Sequence, residues 1–383
     1  MTTSYDELAD RFARTFGRPP EGVWAAPGRV NLIGEHVDYN DGPVLPFALT
    51  HRTYAAAALR DDGVVSARSL QVDGCLEQSI DELEPGAMTE WPAYVAGVLW
   101  VLREQGHDVR GLDVLLDGRV PVGAGLSSSA ALECAVAVAA VELSGLELDV
   151  ASVARVAQRA ENDFVGVPCG LMDQMASMAC TAGHALLYDV RSERAEQVPF
   201  APQSSGLSLL VMDTKVKHSV GDGAYADRRS TCEEAAKTLG VDALRDVAPA
   251  DLHDALTRLP TDAVARVRHV VTEIARVGAA ADALRGGTWD VLGELMTASH
   301  VSLRDDYAVS SVELDVAVES ALAAGALGAR MTGAGFGGSA IALVEDSQVD
   351  KVSAAVMSAF RSAGFGAPEV FAAEPGPGAT RLT

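Results

Sequence analysis

The first 214 residues of this 383-residue chain contain no lysine; the first one is Lys215. A P-loop nucleotide site places a lysine on the phosphates, and protein kinases carry a lysine on an early strand. Neither kind of site can therefore lie in the N-terminal half. A phosphate bound there must be held by backbone N–H groups, hydroxyl groups or a metal ion.

Cysteine is scarce and scattered. Five cysteines occur, an odd number, and no two of them form a CxxC pair. Disulfide frameworks and zinc sites normally use paired, regularly spaced cysteines. The pattern therefore predicts reduced thiols rather than either device.

Positive charge is also in short supply. The formal net charge is −23, and no local basic patch stands out. Such a polyanion is poorly suited to nucleic acid. The acidic N-terminus does not resemble a signal peptide, and no apolar run reaches the ~18 residues of a membrane span. We expect a soluble, cytoplasmic protein with no nucleic-acid or membrane partner and no obligate protein partner.

The hydrophobic pattern indicates an α+β protein. We predict strands over residues 23–33, 44–59, 112–116, 184–190 and 207–213, and helices over residues 5–16, 92–104, 129–143 and 150–164. Helices then dominate, over residues 225–238, 263–284, 289–303 and 312–323, before a closing βαβ unit at 329–372. A change near residues 190–210 predicts two domains, 1–200 and 201–383.

The segment at residues 26–49, APGRVNLIGEHVDYNDGPVLPFAL, mixes polar and apolar side chains. We call residues 28–42 the polar motif; its polar side chains are Arg29, Asn31, Glu35, His36, Asp38, Asn40 and Asp41. Few buried strands carry so many polar groups. The motif is either a surface hairpin that meets water or a site for a polyhydroxylated ligand.

Residues 121–131, PVGAGLSSSAA, form a serine loop that leads straight into an Ala-rich helix. Gly123 and Gly125 let backbone N–H groups turn to one side, and the helix start adds unpaired N–H groups and a positive dipole. Together these features favour an anion cradle. Ser127, Ser128 and Ser129 could bind phosphate oxygens or Mg²⁺. The same sequence is also compatible with an ordinary Gly/Ser turn in which a serine is the N-cap of the helix.

Residues 331–339, MTGAGFGGS, form a second loop, here called the glycine-rich loop. It contains a formal GxGxxG pattern at Gly333, Gly335 and Gly338. A dinucleotide site needs this pattern after a strand and at the start of a helix. Because an apolar strand follows it, the sequence argues against an oxidoreductase.

Two carboxylates follow the serine loop at residues 158–177, QRAENDFVGVPCGLMDQMAS. Pro168 and Gly170 end the preceding helix, so Asp173 lies in the first turn of a new one. Asp173 could serve as a general base while Glu161 holds Mg²⁺ through oxygen. The alternatives are a capping aspartate and a solvated glutamate.

The order GRVNLIGEHVDYNDG, PVGAGLSSSAA, MTGAGFGGS resembles the GHMP small-molecule kinase superfamily and, within it, the galactokinases. The likeness covers nearly the whole chain. The GEHxDYNxG pattern at residues 34–42 separates galactokinases from mevalonate and homoserine kinases. The resemblance implies an N-terminal ribosomal-protein-S5-like domain and a C-terminal ferredoxin-like domain, with the active site between them.

The resemblance also implies roles for individual residues. Asp173 and Arg29 would be catalytic; the sugar would contact Glu35, His36, Asp38, Gly170 and Tyr225. Trp91 and Tyr94 would flank the adenine of ATP, and Gly123, Gly125, Ser127, Ser128 and Ser129 would wrap its phosphates. Ser129 and Glu161 would bind Mg²⁺, and the glycine-rich loop would close over the other two motifs. The surroundings of Tyr225, VGDGAYADRRS, follow the family pattern more loosely.

The implied activity is transfer of the ATP γ-phosphoryl group to the C1 hydroxyl of α-D-galactose, the first kinase step of galactose catabolism. One alternative is a GHMP kinase for a related sugar, such as N-acetylgalactosamine, arabinose or a uronic acid. Another is a catalytically silent sensor of galactose and ATP on the same fold, although the serine loop and Asp173 are intact.

Overall fold

The computed structural model describes residues 5–216 and 221–383. Ser4, which the sequence predicts as the N-cap of the first helix, and residues 217–220 lie outside the described residues. Within those two ranges, every helix is too short or too polar to cross a bilayer.

Eleven α-helices lie within the described residues. Numbered along the chain, they are α1 (Tyr5–Phe16), α2 (Glu90–Glu104), α3 (Ser128–Leu143), α4 (Val150–Arg159), α5 (Met172–Ala179), α6 (Gly221–Leu239), α7 (Leu252–Thr257), α8 (Thr261–Gly286), α9 (Trp289–Ser302), α10 (Val312–Ala323) and α11 (Val349–Ala363). Two π-helical turns, Ala160–Val165 and Leu303–Tyr307, extend α4 and α9.

The strands, numbered in the same way over the described residues, are β1 (Gly22–Asn31), β2 (Pro43–Val44), β3 (Pro46–Arg60), β4 (Val64–Ser69), β5 (Cys75–Ser79), β6 (Gly111–Gly118), β7 (His184–Asp189), β8 (Arg194–Pro199), β9 (Leu207–Asp213), β10 (Gly328–Thr332), β11 (Ser339–Glu345), β12 (Glu369–Ala373) and β13 (Thr380–Arg381).

The N-terminal part is built on a six-stranded sheet with the order β13-β1-β3-β6-β4-β5. Among the strands described in this sheet, only the β4–β6 pair is parallel. The Ala-rich helix α3 packs on β1 and β3, and it also contacts α2 and α4. A three-stranded sheet, β2-β7-β8, adjoins this layer.

The C-terminal part contains a four-stranded antiparallel sheet with the order β10-β11-β9-β12. Strands β11 and β12 both pair with β9, which lies between them. The closing βαβ unit is therefore a split one, and the whole arrangement has the ferredoxin-like topology. The last strand, β13, returns to pair with β1 in the N-terminal sheet.

Most predicted elements are present within a few residues of their predicted ends, and the α+β class is confirmed. The predicted helix 150–164 is wrong in its final turn, because α4 gives way to a π-helical turn at Ala160. The wider turn lets the neighbours Ala160 and Glu161 both face the interior. Strands β4, β5, β8 and β13 and helix α7 were missed. The domain boundary at residue 200 stays a prediction.

Candidate active site

A cavity of about 310 Å³ lies where the polar motif, the start of α5, helix α6 and the glycine-rich loop meet. This volume is within the range usual for small-molecule sites. The seven residues predicted to be catalytic or to bind the sugar all line it: Arg29, Glu35, His36, Asp38, Gly170, Asp173 and Tyr225. The structure thus brings together residues that are up to 196 positions apart (225 − 29) in the sequence.

Arg29 and Asp173 form the central ion pair of this cavity. Nε and Nη2 of Arg29 lie 2.8 and 2.7 Å from Oδ1 of Asp173, and Nη1 donates to the carbonyl of Gly125. Arg29 is almost fully buried, whereas a quarter of the Asp173 side chain is exposed to the cavity. The arginine is therefore anchored, and the carboxylate stays accessible.

Arg29 reaches this position because β1 and the serine loop touch. The backbone N–H of Arg29 donates to the carbonyl of Leu126 at 3.1 Å. A Cβ on the preceding residue, Gly28, would lie only 2.5 Å from that same oxygen. Glycine is thus required at position 28 for the strand to approach the loop.

The serine loop does not use Ser127 as an ordinary helix cap. Ser127 precedes α3 in the left-handed region, with φ 57°, and its side chain makes no capping bond. Its hydroxyl instead donates to Oδ2 of Asp173 at 2.6 Å. The plain capping interpretation is wrong for Ser127, and both oxygens of Asp173 are now accounted for.

Asp173 does not occupy the N-cap position of helix α5. The N-cap position of α5 is Leu171, so Asp173 lies inside the first turn, where the helix dipole favours a negative charge. Its side chain points to Arg29 and Ser127 rather than back to the helix. The helix start and the ion pair together hold the carboxylate.

The two predicted Mg²⁺ ligands lie next to each other. The nearby hydroxyl of Ser129 favours the charged form of Glu161, and Oε2 of Glu161 accepts from Nε2 of Gln174 at 2.9 Å. Glu161 is only 7% exposed, so the solvated-face interpretation is wrong. Burial and repulsion from Asp173 raise the pKa of Glu161 above its ordinary value.

A further acidic side chain lies behind this pair. Glu133 of α3 is fully buried, and burial and the neighbouring Glu161 raise its pKa well above the ordinary value. Neither of its oxygens has a hydrogen-bond partner of good geometry among the described residues. Glu133 therefore favours the neutral acid, which spares the site one more buried negative charge.

Asp38 is held without a partner of opposite charge in direct contact. Burial and repulsion from Asp173 raise the pKa of Asp38 to about 6. Gly170 packs directly against its carboxylate. The environment thus keeps Asp38 close to the cavity at some electrostatic cost, which is typical of binding residues.

Glu35 joins the polar motif to the glycine-rich loop. Its Oε2 accepts from the fully buried Arg330, and its Oε1 accepts from the hydroxyl of Thr332 and from the N–H of Gly333 at 3.0 Å. Burial is the main reason that the pKa of Glu35 is raised, despite the arginine. A structural link of this kind was not predicted for Glu35.

His36 lies at the centre of a group of aromatic rings. Its own φ is 61°, an unusual value for a residue with a side chain. The rings of Tyr225 and Tyr307 lie 5.7 and 4.8 Å from its centre. Tyr225, whose assignment rested on the looser part of the resemblance, thus packs beside His36 at the cavity wall.

The glycine-rich loop contacts both other motifs. Ser339 donates to the carbonyl of Ala124 in the serine loop at 2.7 Å, and Ala334 accepts from His36. A Cβ on Gly333 would lie 3.1 Å from the carbonyl of Gly125. The loop is followed by strand β11, whereas the GxGxxG loop of a dinucleotide site is followed by a helix. The glycine-rich loop is therefore not a dinucleotide-binding loop.

The residues assigned to ATP lie outside the cavity lining. Gly123, Gly125, Ser127, Ser128 and Ser129 belong to the serine loop and the start of α3, whereas Trp91 and Tyr94 lie half-buried on the first turns of α2. Trp91 packs against the hydrophobic core. The adenine contacts of Trp91 and Tyr94 therefore stay predictions.

Several residues at the site were not identified from the sequence. Gln174 directly follows Asp173, Cys169 lies in the same short segment, and Tyr39 lies within the polar motif, so motif spacing could have pointed to them. Glu133, Arg330 and Tyr307 carry no such signal. They reach the site only through the tertiary fold.

Three family models match the chain. The galactokinase galactose-binding signature covers residues 10–59, the GHMP kinases N-terminal domain covers residues 93–181, and the GHMP kinases C-terminal domain covers residues 280–362. The three matches cover the polar motif, the serine loop and the glycine-rich loop in turn.

Curated relatives match along the whole chain. A galactokinase of Streptomyces coelicolor is 53% identical over 98% of this chain and 98% of its own length. A galactokinase of Chloroflexus aggregans is 45% identical over 91% of this chain and 90% of its own.

Solved structures are also similar to this chain over most of its length. The Lactococcus lactis galactokinase, determined in complex with galactose, has a TM-score of 0.95 at 34% identity and covers 98% of this chain and 99% of that one. The mevalonate kinase of Methanococcus jannaschii, at 15% identity, has a TM-score of 0.67 over 92% of this chain and 98% of its own, which indicates a shared fold.

The two-part α+β architecture, with the serine loop at the start of α3 and the cavity beside it, is that of a GHMP kinase. The polar motif and the full-length similarity narrow the assignment further. The chain belongs to the galactokinase family.

Proposed function

We propose that this protein transfers the γ-phosphoryl group of ATP to the C1 hydroxyl of α-D-galactose, giving galactose 1-phosphate and ADP. The observation that carries the proposal is the exposed edge of Asp173 in the cavity. Arg29 holds one oxygen of this carboxylate and Ser127, from the serine loop, holds the other. A sugar in the cavity and a phosphate at the serine loop would meet at this residue.

Asp173 is proposed as the general base. A hydroxyl is a good nucleophile toward phosphorus only as its proton leaves, and a positioned carboxylate can accept that proton. Such general-base catalysis typically raises the rate about 10²–10⁴-fold. Arg29 fixes the position of the carboxylate through two N–H groups and offsets charge that develops beside it. Most of the remaining barrier must be lowered by alignment and by neutralising the phosphates.

Asp38, Glu35 and His36 are proposed to form hydrogen bonds with the sugar hydroxyl groups. Tyr225 and Gly170 are proposed to form part of the cavity wall. Asp38 has the strongest case, because it lines the cavity and no described cation contacts its carboxylate directly. A site built to bond hydroxyl groups discriminates strongly against sugars that lack them, because its own polar groups are then left unpaired.

The residues beside the serine loop fit Mg²⁺, which binds through one or two carboxylates together with phosphate oxygens of the nucleotide. Ser129 and Glu161 would supply one hydroxyl and one carboxylate, which lie near enough to interact. The raised pKa of Glu161 fits this proposal, because a cation would relieve the repulsion from Asp173. When bound, Mg²⁺ would neutralise phosphate charge.

The test is ADP release by the purified protein with ATP, Mg²⁺ and a panel of sugars: galactose, glucose, arabinose, N-acetylgalactosamine and galacturonic acid. We expect turnover with galactose and a product that has lost its reducing end, because C1 carries the phosphate. Faster turnover with another sugar would reassign the substrate. ATP and galactose binding without ADP release would indicate a sensor.

The cytoplasmic location and the lack of an obligate protein partner stay predictions from the sequence. Size-exclusion chromatography of the purified chain, with and without both substrates, would test the second.

A further inference from the structure

A side chain that lines the cavity, His36, and three side chains behind it form an unbroken chain of hydrogen bonds. Sγ of Cys232 lies 3.2 Å from the hydroxyl of Tyr307, which lies 2.7 Å from the hydroxyl of Tyr39. The Tyr39 hydroxyl lies 2.9 Å from Nδ1 of His36, and Nε2 of His36 lies 3.1 Å from the carbonyl of Ala334. The chain runs from helix α6 to the glycine-rich loop.

The direction of these bonds follows from their last member. A carbonyl oxygen can only accept, so Nε2 of His36 must carry a hydrogen. A neutral imidazole has only one N–H, so Nδ1 accepts from Tyr39. Each hydroxyl has a single hydrogen, so Tyr307 donates to Tyr39 and the thiol of Cys232 donates to Tyr307.

The surroundings favour the neutral imidazole. His36 is 5% exposed, and burial and the nearby His269 lower its pKa to about 3. Tyr307 and Cys232 are fully buried, so water cannot easily replace their bonds. His36 also holds a positive φ, a conformation that needs fixed neighbours to persist.

The chain is assembled from parts of the protein that are far apart in sequence. Tyr39 belongs to a 3₁₀ turn in the polar motif, Tyr307 ends the π-helical turn after α9, and Cys232 lies on α6. The π-helical turn directs Tyr307 inward, where its ring also lies 4.5 Å from that of His269. None of the three residues lines the cavity, so each acts through His36.

We propose that Tyr39 and Tyr307 are positioning residues that fix His36 in the tautomer with hydrogen on Nε2, so that the imidazole offers no lone pair to the cavity there and a cavity acceptor shares the one N–H with Ala334. The inference rests on the proposed function, because it takes the occupant of the cavity to be a sugar. A hydroxyl read by Nε2 must then accept a hydrogen bond. The other tautomer would present a lone pair there and would also lose the bond to the glycine-rich loop.

The tautomer can be measured directly, whatever the substrate. In protein labelled with ¹⁵N-histidine, protonated and unprotonated ring nitrogens have well-separated chemical shifts. The His36 signal is assigned by its loss in His36→Gln. We expect wild-type His36 to show Nε2 protonated and Nδ1 unprotonated at pH 7.5. A signal with Nδ1 protonated, alone or together with Nε2, would overturn the proposal.

The variants Tyr39→Phe and Tyr307→Phe remove the donors in turn. For Tyr39→Phe we expect a changed Nδ1 shift and a KM for galactose raised about threefold to tenfold, with kcat within about twofold, as one hydrogen bond between neutral groups implies. Tyr307→Phe keeps the hydrogen bond from Tyr39 to His36. We therefore expect a smaller change in the Nδ1 shift and a smaller rise in the KM for galactose than in Tyr39→Phe. Tyr307→Phe also provides the test if Tyr39→Phe does not fold.

Tyr188→Phe is the matched control, since Tyr188 is a buried tyrosine on β7 that does not line the cavity. If Tyr39→Phe and Tyr307→Phe match this control in both the His36 shifts and the KM, the proposal is wrong. A fall in kcat with an unchanged KM would also reject it. Should the wild type release no ADP with galactose, the proposed function fails, while the ¹⁵N shifts still decide the tautomer.

Discussion

Gly170 lies so close to Asp38 that a Cβ at position 170 would come within 1.8 Å of Oδ2 of Asp38 and 2.7 Å of its carboxyl carbon. The φ of Gly170 is not in the left-handed region, so the backbone itself would accept alanine. The side chain is therefore excluded by the carboxylate alone. This contact ties the loop before α5 to the polar motif.

Gly170→Ala should weaken galactose binding by pushing the Asp38 carboxylate out of place. Loss of a hydrogen bond to a charged group is worth about 1.5–3 kcal/mol, or roughly 10- to 100-fold in affinity. Calorimetric titration with galactose measures this loss, and the affinity for ATP should stay near that of the wild type.

Gly278→Ala serves as the control for this change. Gly278 lies inside α8, and no described atom outside that helix comes within 4 Å of the place where its methyl group would lie. Alanine there should leave galactose binding unchanged and stabilise the helix slightly. Wild-type affinity in Gly170→Ala would mean that Asp38 does not read the sugar.

Asp38 should also make the stability of the protein depend on pH. Its folded-state pKa of about 6 is above the ordinary 3.8, so the folded state binds this proton more tightly than the unfolded state. The contribution of Asp38 to stability therefore falls as the pH rises from about 4 to 6, and the full cost persists above pH 6.

Asp38→Asn removes this cost. Relative to the wild type, the variant should gain up to about 3 kcal/mol in the free energy of unfolding between pH 4 and pH 7.5, because each pKa unit corresponds to about 1.4 kcal/mol. Urea unfolding at both pH values measures it, with the exposed Asp242→Asn as control. A constant difference between variant and wild type at the two pH values would refute the assignment.

The sequence could predict the membership of the site because most of its residues lie in two short segments, the polar motif and residues 158–177. Arg29, Asp38 and Asp173 are recognisable from their neighbours, and all three line the cavity. Their exact partners were harder to predict. That Ser127 would bond Asp173 rather than cap its own helix depends on how two loops meet, which local spacing does not encode.

The missed features have physical reasons. Strands β4 and β5 are short and partly polar, so their alternation is weak, and β4 depends on a parallel partner, β6, far along the chain. Arg330 stands alone in an apolar strand, 295 positions from the Glu35 it pairs with. Single-residue features whose partners are so distant leave no periodic signal.

Asp173→Asn should abolish most turnover and largely spare binding. Asparagine keeps the shape and can still accept from Arg29, but it cannot take up a proton, so kcat should fall by about 10²–10⁴-fold. Galactose and ATP affinities, measured by calorimetry, should change little. The control is Asp163→Asn, an exposed aspartate paired with Arg159. Near-normal turnover in Asp173→Asn would rule it out as the base.

Ser129→Ala and Glu161→Gln should raise the Mg²⁺ concentration needed for half-maximal activity. Mutation of a residue that only hydrogen-bonds to a metal ligand typically lowers the metal affinity about 10–100-fold. Replacing the proposed ligand itself, in Glu161→Gln, should therefore lower the Mg²⁺ affinity at least about tenfold. Binding of Mn²⁺ with ADP, followed by electron paramagnetic resonance, gives a readout that does not need turnover.

Glu147→Gln, an exposed glutamate after α3, is the control for the metal prediction. It should bind Mn²⁺ as the wild type does. If Glu161→Gln also bound Mn²⁺ with wild-type affinity, the cation would have to lie elsewhere.

Arg330→Met should destabilise the protein strongly, because Arg330 is fully buried between carboxylates. It donates to Glu35, and its Nη2 lies 3.9 Å from Oε1 of Glu273. Although burial opposes ionisation, Arg276, His269 and Arg330 lower the pKa of Glu273 to about 2, so the arginine faces a buried negative charge. Removing one partner of a buried pair costs about 3–5 kcal/mol.

The double variant Glu35→Gln/Arg330→Met distinguishes a charge effect from a packing effect. If the loss in Arg330→Met comes from the stranded carboxylate of Glu35, the double variant should recover part of the free energy of unfolding measured in urea. Arg304→Met, at a more exposed pair with Asp305, should cost little. A double variant less stable than Arg330→Met would mean that the two side chains contribute through packing and hydrogen bonds to the glycine-rich loop rather than through their charges.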